Sequence, residues 1–366
     1  MKVLLLSDTQ SEHTEKWALG LANAGIKVGL FSFNKASYEW YVHENITVFF
    51  EPEKKINAES TLTKLAYIKY VSILKKIIEH FNPDILHAHY ATSYGLVGAL
   101  TNFHPFVISS WGTDVMKFPN KNFVAKSILK YNFNKADLLC ATSFTIKEYI
   151  NQVVKFPVSV IPFGIDINDF KPKKVKSLFS ENDFVLGSIK PLESLYNTDI
   201  LIKSFAKLLP KYNNLKLLII GDGGELNSLK ELCRNLGIFD NVKFPGRIPF
   251  KEISNYYNMI DILVNVSEYE SFGVSVVEAM ACETPVIVTN IGGLKEVVKD
   301  DTVGLKVKIG DVEDTTSAIE RLITDKELYN KIAVNGRKHV VELYNWEDNL
   351  KQMIVEYNKL VSKTEK

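Results

Sequence analysis

Short apolar runs that alternate with helical patterns constrain the fold of this chain more than any other feature. Val3-Leu4-Leu5-Leu6 and Phe106-Val107-Ile108 are apolar at consecutive positions, as expected of strands that are covered on both faces in a parallel sheet. Strands that alternate with helices form doubly wound α/β sheets. In the first half of the chain we predict strands at residues 2–7, 27–33, 46–50, 84–89, 105–110, 137–142 and 158–161.

The same pattern starts again in the second half of the chain, which predicts a second sheet. The predicted strands are residues 184–189, 215–220, 242–244, 260–266 and 286–289. Between the two series lies Ile161-Pro162-Phe163-Gly164-Ile165-Asp166, in which proline and glycine interrupt both helices and strands. We therefore expect one domain at residues 1–165 and another at 166–345. We expect the last helix, residues 346–366, to pack back on the first domain.

Composition and charge exclude several classes of protein. The 44 Lys and Arg nearly balance the 43 Asp and Glu, whereas a nucleic-acid-binding protein usually has a basic excess. No apolar run reaches the roughly 18 to 20 residues of a membrane-spanning helix, and the opening run ends at Ser7, too early for a signal peptide. Cys140, Cys233 and Cys282 lack metal-ligand spacing. These features predict a cytoplasmic protein with reduced thiols and no nucleic-acid partner.

The stretch from Ser267 to Ala281 carries the strongest chemical signal. A predicted strand leads into a polar loop, and a helix is expected to begin near Gly273, where unpaired backbone N–H groups suit a diphosphate. Glu278 lies in an otherwise apolar helical run, so its carboxylate needs hydrogen-bond partners, which two vicinal ribose hydroxyls could provide. Two structural alternatives are open. Glu270 could be a helix-start carboxylate that the helix dipole favours, with no role in binding, and Glu278 could be exposed on one side of its helix.

These residues resemble a known family. Glu270 and Glu278, eight apart around Ser-Phe-Gly, match the E-x7-E motif of retaining GT-B glycosyltransferases of the family 4 type, the glycosyl transferases group 1. Gly292-Gly293 and the junction at residues 161–166 are similar to the same family. The resemblance runs through essentially the whole chain and is strongest at residues 158–300. It implies the GT-B fold, with two Rossmann-like domains facing a central cleft, the first on the acceptor side and the second binding a nucleotide sugar.

The resemblance also implies roles for the donor-side residues. Glu278 would hold the ribose, and Glu270, counted with the catalytic residues, would hold hydroxyls of the donor sugar. Backbone amides around Ser271, Phe272, Gly273 and Val274 would contact the sugar and the diphosphate. Gly246 and Arg247 would flank the base, although Arg247 could equally be an ordinary surface residue.

One segment departs from the family pattern. The family usually places an Arg and a Lys after the first strand of the second domain to clamp the diphosphate, whereas this chain supplies only Lys190 there. Tyr196-Asn197 stands where Lys-Gly is common. Because a diphosphate leaving group needs its growing charge neutralised, we predict that Lys190 is catalytic and acts with helix amides, and Arg247 could complete the clamp. The nearby Gly221-Asp222-Gly223-Gly224 is only a weak dinucleotide signal, and a turn that opens a helix explains it better.

Acceptor-side candidates follow the strands of the first domain. His87 and His89 share one face of a strand, and His89, nearer the carboxyl edge, is the predicted catalytic residue, although such a pair can equally be structural. A zinc site would need further ligands. Trp111 stands where many family members have histidine, and it could stack on a sugar or only pack. Asp114 could bind sugar hydroxyls or cap the next segment. His13 could contact the acceptor or belong to a helix cap.

The function implied is transfer of a hexosyl or N-acetylhexosaminyl group, with retention, from a nucleoside diphosphate sugar to an acceptor hydroxyl in polysaccharide or lipid-linked glycan biosynthesis. We predict no obligatory metal and no cofactor beyond the nucleotide sugar. The alternatives are a hydrolase, a non-catalytic nucleotide-sugar-binding protein and an epimerase of the same fold. Residues 117–135 combine five lysines with aromatic residues, which suggests either a solvated helix face or peripheral contact with the inner face of a membrane.

Overall fold

The computed structural model describes residues 1–50 and 65–364. The chain divides into two compact units. The first consists of Met1–Phe163 together with Glu347–Lys366, and the second is Gly164–Trp346.

The first unit is built on a seven-stranded parallel sheet with the strand order β3-β2-β1-β4-β5-β6-β7. Its strands are β1 (Lys2–Leu6), β2 (Lys27–Phe31), β3 (Ile46–Phe50), β4 (Ile85–His89), β5 (Phe106–Ser110), β6 (Leu138–Ala141) and β7 (Val158–Val160). All seven strands predicted from the apolar runs are therefore confirmed. Both faces of the sheet are covered, and every residue of β4 and β5 is buried.

Helices connect these strands, as a doubly wound sheet requires. They are α1 (Glu12–Asn23), α2 (Val71–Phe81), α3 (Ser93–Thr101), α4 (Thr113–Met116), α5 (Phe123–Lys135) and α6 (Phe144–Asn151), with 3₁₀ turns at Leu65–Tyr70 and Phe118–Asn120. The last helix of the chain, α14 (Trp346–Thr364), packs on the same unit. Its Tyr357 hydroxyl lies 2.6 Å from Nδ1 of His87 on β4, and both side chains are fully buried.

The second unit repeats the plan with a six-stranded parallel sheet, ordered β10-β9-β8-β11-β12-β13. Its strands are β8 (Phe184–Ile189), β9 (Leu215–Ile220), β10 (Val242–Gly246), β11 (Ile262–Asn265), β12 (Val286–Thr289) and β13 (Leu305–Val307). Its helices are α7 (Thr198–Leu208), α8 (Leu226–Asn235), α9 (Phe250–Tyr257), α10 (Val274–Ala281), α11 (Leu294–Val297), α12 (Val312–Thr324) and α13 (Lys326–Leu343). Five of the six strands were predicted. The edge strand β13 was not predicted, because Lys306 interrupts its apolar residues.

Each sheet has one switch point, at which the next strands along the chain are added on the opposite side of the first strand. In the first sheet this point lies between β1 and β4, and in the second it lies between β8 and β11. Loops at the carboxyl ends of two such strands diverge and leave a crevice, where open α/β sheets bind ligands. Residues that directly follow these four strands are therefore candidates for ligand contact.

Candidate functional site

Lys190 and Glu270 form an ion pair at the switch point of the second sheet. Lys190 directly follows β8, and Glu270 lies in the loop after β11. The Lys190 ammonium donates a hydrogen bond to Oε2 of Glu270, and the two side chains are only 11% and 14% exposed. The ring of Tyr196 lies 5.3 Å from the Lys190 nitrogen. The pair thus places one cation and one carboxylate, largely shielded from solvent, where a ligand of this fold class binds.

The loops that carry the two side chains are joined to each other. The Glu268 N–H donates to the Leu195 carbonyl at 2.8 Å, and the Asn197 side chain donates to the Val266 carbonyl at 3.2 Å. Asn197 has a left-handed backbone with φ of 49°, a conformation that favours glycine and that asparagine tolerates better than most residues. This explains how asparagine stands where glycine is common in the family.

Gly273 begins helix α10 as predicted. It precedes the first helical residue with φ of +100°, and a Cβ atom there would come within 2.8 Å of Leu294. Ser271 and Val274 on either side are half-buried, whereas Phe272 is buried and packs edge-on against Tyr344 at 5.3 Å. The first N–H groups of α10 thus lie directly after the loop that carries Glu270, as a diphosphate site requires.

Gly292 and Gly293 pack directly against the backbone of this loop. A Cβ atom on Gly292 would lie 2.2 Å from the Glu270 carbonyl oxygen, and one on Gly293 would lie 2.4 Å from the Ser271 carbonyl oxygen. The Gly293 N–H also donates to the Glu270 carbonyl at 3.0 Å. The glycine pair therefore fixes the position of Glu270 through close backbone contact, which any larger residue would prevent.

Glu278 is buried in α10, with 7% of the residue exposed. The alternative that it sits on an exposed helix face is therefore wrong. Its Oε2 accepts a hydrogen bond of 2.6 Å from the hydroxyl of Tyr257 on α9. The sequence did not identify Tyr257, because nothing local distinguishes it from the adjacent Tyr256.

The remaining donor-side candidates lie at the ends of β9 and β10. Gly246 ends β10 with φ of +81°, and its carbonyl accepts from the Gly221 N–H at 3.0 Å. Arg247 is exposed. Gly221 is needed for close approach, because a Cβ atom there would lie 1.8 Å from the carbonyl oxygen of Lys190. Gly221 thus packs the loop after β9 against the loop after β8. The glycine segment leads into α8, as the interpretation as a turn that opens a helix predicted.

At the switch point of the first sheet, His89 lies beside Ser7. Nδ1 of His89 is 3.0 Å from the Ser7 hydroxyl, which is itself 2.6 Å from the Thr14 hydroxyl. His89 is only 2% exposed, and burial keeps its pKa well below the usual value, as it does for the neighbouring His87. Both imidazoles are therefore neutral at physiological pH, and the catalytic role of His89 stays a prediction.

Aromatic rings surround this point. His13, in the first turn of α1, stacks on Phe163 with 3.8 Å between ring centroids, and Trp111 packs edge-on against both rings. Trp111 also lies 4.8 Å from His89. Burial lowers the pKa of His13 to about 4, so this ring is neutral too. His13, Trp111 and His89 are thus brought together as an uncharged, largely aromatic surface.

Asp114 lies beneath that surface and is not exposed on it. It is fully buried, and it accepts hydrogen bonds from the N–H groups of Ala91, Trp111 and Gly112 at 2.8, 3.2 and 2.8 Å. Burial raises the pKa of Asp114, while these N–H groups oppose the rise. That Asp114 binds sugar hydroxyls stays a prediction, and its contacts in this structure are with the backbone. The carboxylate holds the loop that carries Trp111.

Residues 117–135 include both buried and exposed apolar side chains. The side chains of Phe118, Leu129 and Phe133 are buried in the first unit, whereas Phe123 is 84% exposed and Val124 is 50% exposed. Lys117, Lys121, Lys126, Lys130 and Tyr131 are exposed as well.

No helix in the described part of the chain is long and apolar enough to cross a membrane. Over the same residues, no group of three or more His, Cys, Asp and Glu side chains could hold a metal ion.

Comparison with known families covers both units. The family of glycosyl transferases group 1 matches residues 169–339, and the glycosyl transferase 4-like family matches residues 2–143. An N-acetyl-α-D-glucosaminyl L-malate synthase of Bacillus anthracis is 26% identical over 88% of this chain and 84% of its own length. An α-monoglucosyldiacylglycerol synthase of Streptococcus pneumoniae is 27% identical over 77% of this chain and 70% of its own length.

Solved structures show the same fold. A sucrose-phosphate synthase from Thermosynechococcus elongatus superposes with a TM-score of 0.85 at 21% identity, covering 99% of this chain and all of the other. A UDP complex of the Anabaena protein HepE gives a TM-score of 0.79 at 22% identity, covering 98% of this chain and all of the other. These structures show the GT-B fold, and the two family matches, one to each unit, show that the chain is a glycosyltransferase that belongs to the glycosyl transferases group 1 family.

Proposed function

We propose that this enzyme moves a sugar from a nucleoside diphosphate sugar to an acceptor hydroxyl with retained anomeric configuration. The observation that carries the proposal is the Lys190–Glu270 pair at the switch point of the second sheet, next to the first N–H groups of α10. A cation and a helix N-terminus suit a diphosphate, and a neighbouring carboxylate suits sugar hydroxyls. Glu278, four helical positions after Val274 on α10, supplies a second carboxylate for the ribose.

In the proposed reaction, the bond between the anomeric carbon and the diphosphate oxygen breaks ahead of acceptor attack. Lys190 and the α10 amides neutralise the charge that grows on the leaving diphosphate, so we expect no requirement for a divalent metal. Glu270 exchanges its contact with Lys190 for hydroxyls of the donor sugar. The acceptor oxygen then bonds to the anomeric carbon on the face from which the diphosphate departed, and its proton passes to the departing oxygen. Attack on that face retains the anomeric configuration.

The proposed donor sugar is a hexose or an N-acetylhexosamine. The names of the two relatives described above, a glucosaminyl malate synthase and a glucosyldiacylglycerol synthase, support this class. Their acceptors are chemically different, so the names do not select one acceptor here. We propose a glycan or lipid-linked acceptor in polysaccharide or glycolipid biosynthesis, bound on the first unit beside His13 and Trp111.

Nucleotide sugars should stabilise the wild-type protein and fail to stabilise Glu278→Ala. A thermal-shift panel of UDP-, GDP-, ADP- and CMP-sugars measures this, because a ligand that binds only the native state raises the free energy of unfolding, by about 2.7 kcal/mol at one hundred times its Kd. Glu268→Ala is the matched control, since it removes a nearby glutamate that lies in the loop before α10 and is exposed. The donor assignment fails if no member of the panel shifts well-folded wild type at millimolar concentration.

We also propose that the exposed face of residues 117–135 contacts anionic lipid. This segment contains five lysines and no Asp or Glu, and the 84% exposed ring of Phe123 stands at the start of α5. A basic face with an exposed aromatic side chain suits the headgroup region of an anionic bilayer.

Vesicle flotation tests the lipid contact. Wild type should bind vesicles that contain phosphatidylglycerol and not neutral vesicles. Lys126→Ala with Lys130→Ala should weaken binding about thirtyfold, at about 1 kcal/mol for each lysine. The matched control, Lys207→Ala with Lys211→Ala, removes two charges from the second unit and should bind as wild type does. Equal weakening by both double variants would show that only net charge matters.

A further inference from the structure

The hydroxyl of Tyr257, at the end of α9, is bonded to a predicted donor-site carboxylate. It donates to Oε2 of Glu278 at 2.6 Å. Tyr257 is fully buried, and Glu278 is more than nine-tenths buried. A hydrogen bond to a charged acceptor in such surroundings is strong and strongly directional.

Tyr257 itself is held in place on several sides. Its ring packs against Phe170 with 6.0 Å between centroids, and its carbonyl accepts a hydrogen bond of 3.0 Å from the Thr284 hydroxyl. The Thr284 N–H donates in turn to the Ala279 carbonyl of α10, one residue after Glu278. The phenol and the carboxylate are therefore tied together both through their side chains and through the backbone.

Packing alone does not account for this pair. The rest of α10 is apolar or small, and its residues 275–281 are all buried. Replacing a buried polar or charged pair by apolar residues of similar volume is often neutral or stabilising. A carboxylate in this position is thus costly to bury, and a partner that fixes one of its oxygens is useful mainly if the carboxylate has to meet a ligand in one orientation.

We propose that Tyr257 is a positioning residue that orients the Glu278 carboxylate towards the ribose hydroxyls of the bound nucleotide, and so sets the preference for ribonucleotides over 2′-deoxyribonucleotides. This inference rests on the donor site proposed above. Because Tyr257 fixes Oε2 from the α9 side, the carboxylate plane cannot rotate freely. The two vicinal hydroxyls of ribose then meet a carboxylate whose orientation is already set, which reduces the ordering cost of binding.

Titration calorimetry with UDP, GDP and ADP, and with the 2′-deoxy form of each, tests the proposal. Wild type should bind its preferred ribonucleotide at least about tenfold more tightly than the 2′-deoxy form. Tyr257→Phe keeps the ring and removes only the hydroxyl. It should weaken ribonucleotide binding about fivefold to tenfold, because the carboxylate keeps its charge and loses only its fixed orientation, which costs less than losing a direct hydrogen bond to a charged group. The 2′-deoxy affinity should stay within about twofold, because that ligand already lacks part of the contact. Tyr256→Phe, the same change at the adjacent tyrosine, should match wild type.

The outcomes separate this proposal from the donor site on which it rests. Equal weakening of both ligand forms by Tyr257→Phe would show a packing role only and would overturn it, as would unchanged binding of both. A wild type that binds nucleotides without preferring ribose would remove the ribose role of Glu278. A wild type that binds none of the nucleotides would overturn the donor site itself.

Thr284→Val is the second variant, in case Tyr257→Phe does not fold. It removes one of two hydrogen bonds to the Tyr257 carbonyl and leaves the bond from the Ile260 N–H. It should lower the ribose preference about twofold to threefold. A preference identical to that of wild type in this variant would count against the proposal.

Discussion

Replacing Lys190 with methionine should lower kcat about 10²-fold to 10³-fold. The ammonium group is the charged side chain that we assign to the leaving diphosphate, and removing one preorganised group that stabilises transition-state charge costs about this much. The charge develops as the bond breaks, so kcat should fall more than the donor KM rises. Steady-state kinetics with the donor identified by the thermal-shift panel measure both constants.

The ion pair itself offers a control for Lys190→Met. Glu270→Gln removes the partner carboxylate, and the double variant Lys190→Met with Glu270→Gln should lose much less activity than the product of the two single losses, because the two side chains act as one unit. Lys203→Met removes a lysine that pairs with Asp199 on the surface of α7, and it should behave as wild type. If Lys190→Met retained a kcat within threefold of that of Lys203→Met, Lys190 would have no part in departure of the diphosphate.

Gly292→Ala should destabilise the protein by about 2 to 4 kcal/mol and should weaken donor binding by more than tenfold. The new methyl group would lie 2.2 Å from the Glu270 carbonyl oxygen, and the backbone of Gly292 has φ of +42°. The clash adds an overpacking cost to the left-handed backbone strain. Relieving it moves the loop that carries Glu270, so binding suffers together with stability. Chemical denaturation and titration calorimetry measure the two effects.

Gly310→Ala separates backbone strain from the clash. Gly310 has φ of +70° but no atom within 4 Å of the added Cβ position, so only the conformational cost of about 1 to 2 kcal/mol applies. Donor affinity should not change in this variant. Should the two alanine variants lose the same stability and the same affinity, the contact between Gly292 and the Glu270 loop would not position the site.

Much of the fold followed from the sequence because strands buried on both faces are apolar at consecutive positions. Twelve of the thirteen strands of the two sheets were predicted, most of them from such runs. The exception is β13, in which Lys306 stands at the centre of three residues and leaves no apolar run. The start of α10 at Gly273 also followed, since a glycine after a polar loop indicates a helix boundary.

The candidate site was predictable only in part. Glu270, Glu278 and Gly273 stand out because a polar loop and a carboxylate interrupt an apolar pattern. Contacts between distant parts of the chain carry no local signal: Lys190 meets Glu270 across 80 positions. The contacts of Asp114 could not be predicted for the same reason, because one of its three backbone donors, the Ala91 N–H, lies in the loop after β4. Sequence patterns indicate which side chains are polar, while tertiary packing decides which of them remain exposed to a ligand.

Hydrogen–deuterium exchange with and without the stabilising nucleotide sugar locates the donor site, because it reports where the donor binds without requiring an acceptor. We predict slower exchange in peptides that cover residues 188–197 and 266–281, the loops that carry Lys190 and Glu270 together with the start of α10. The same peptides in Glu278→Ala should be unchanged by the ligand. Protection confined to the first unit, with binding intact, would contradict a donor site at the switch point of the second sheet.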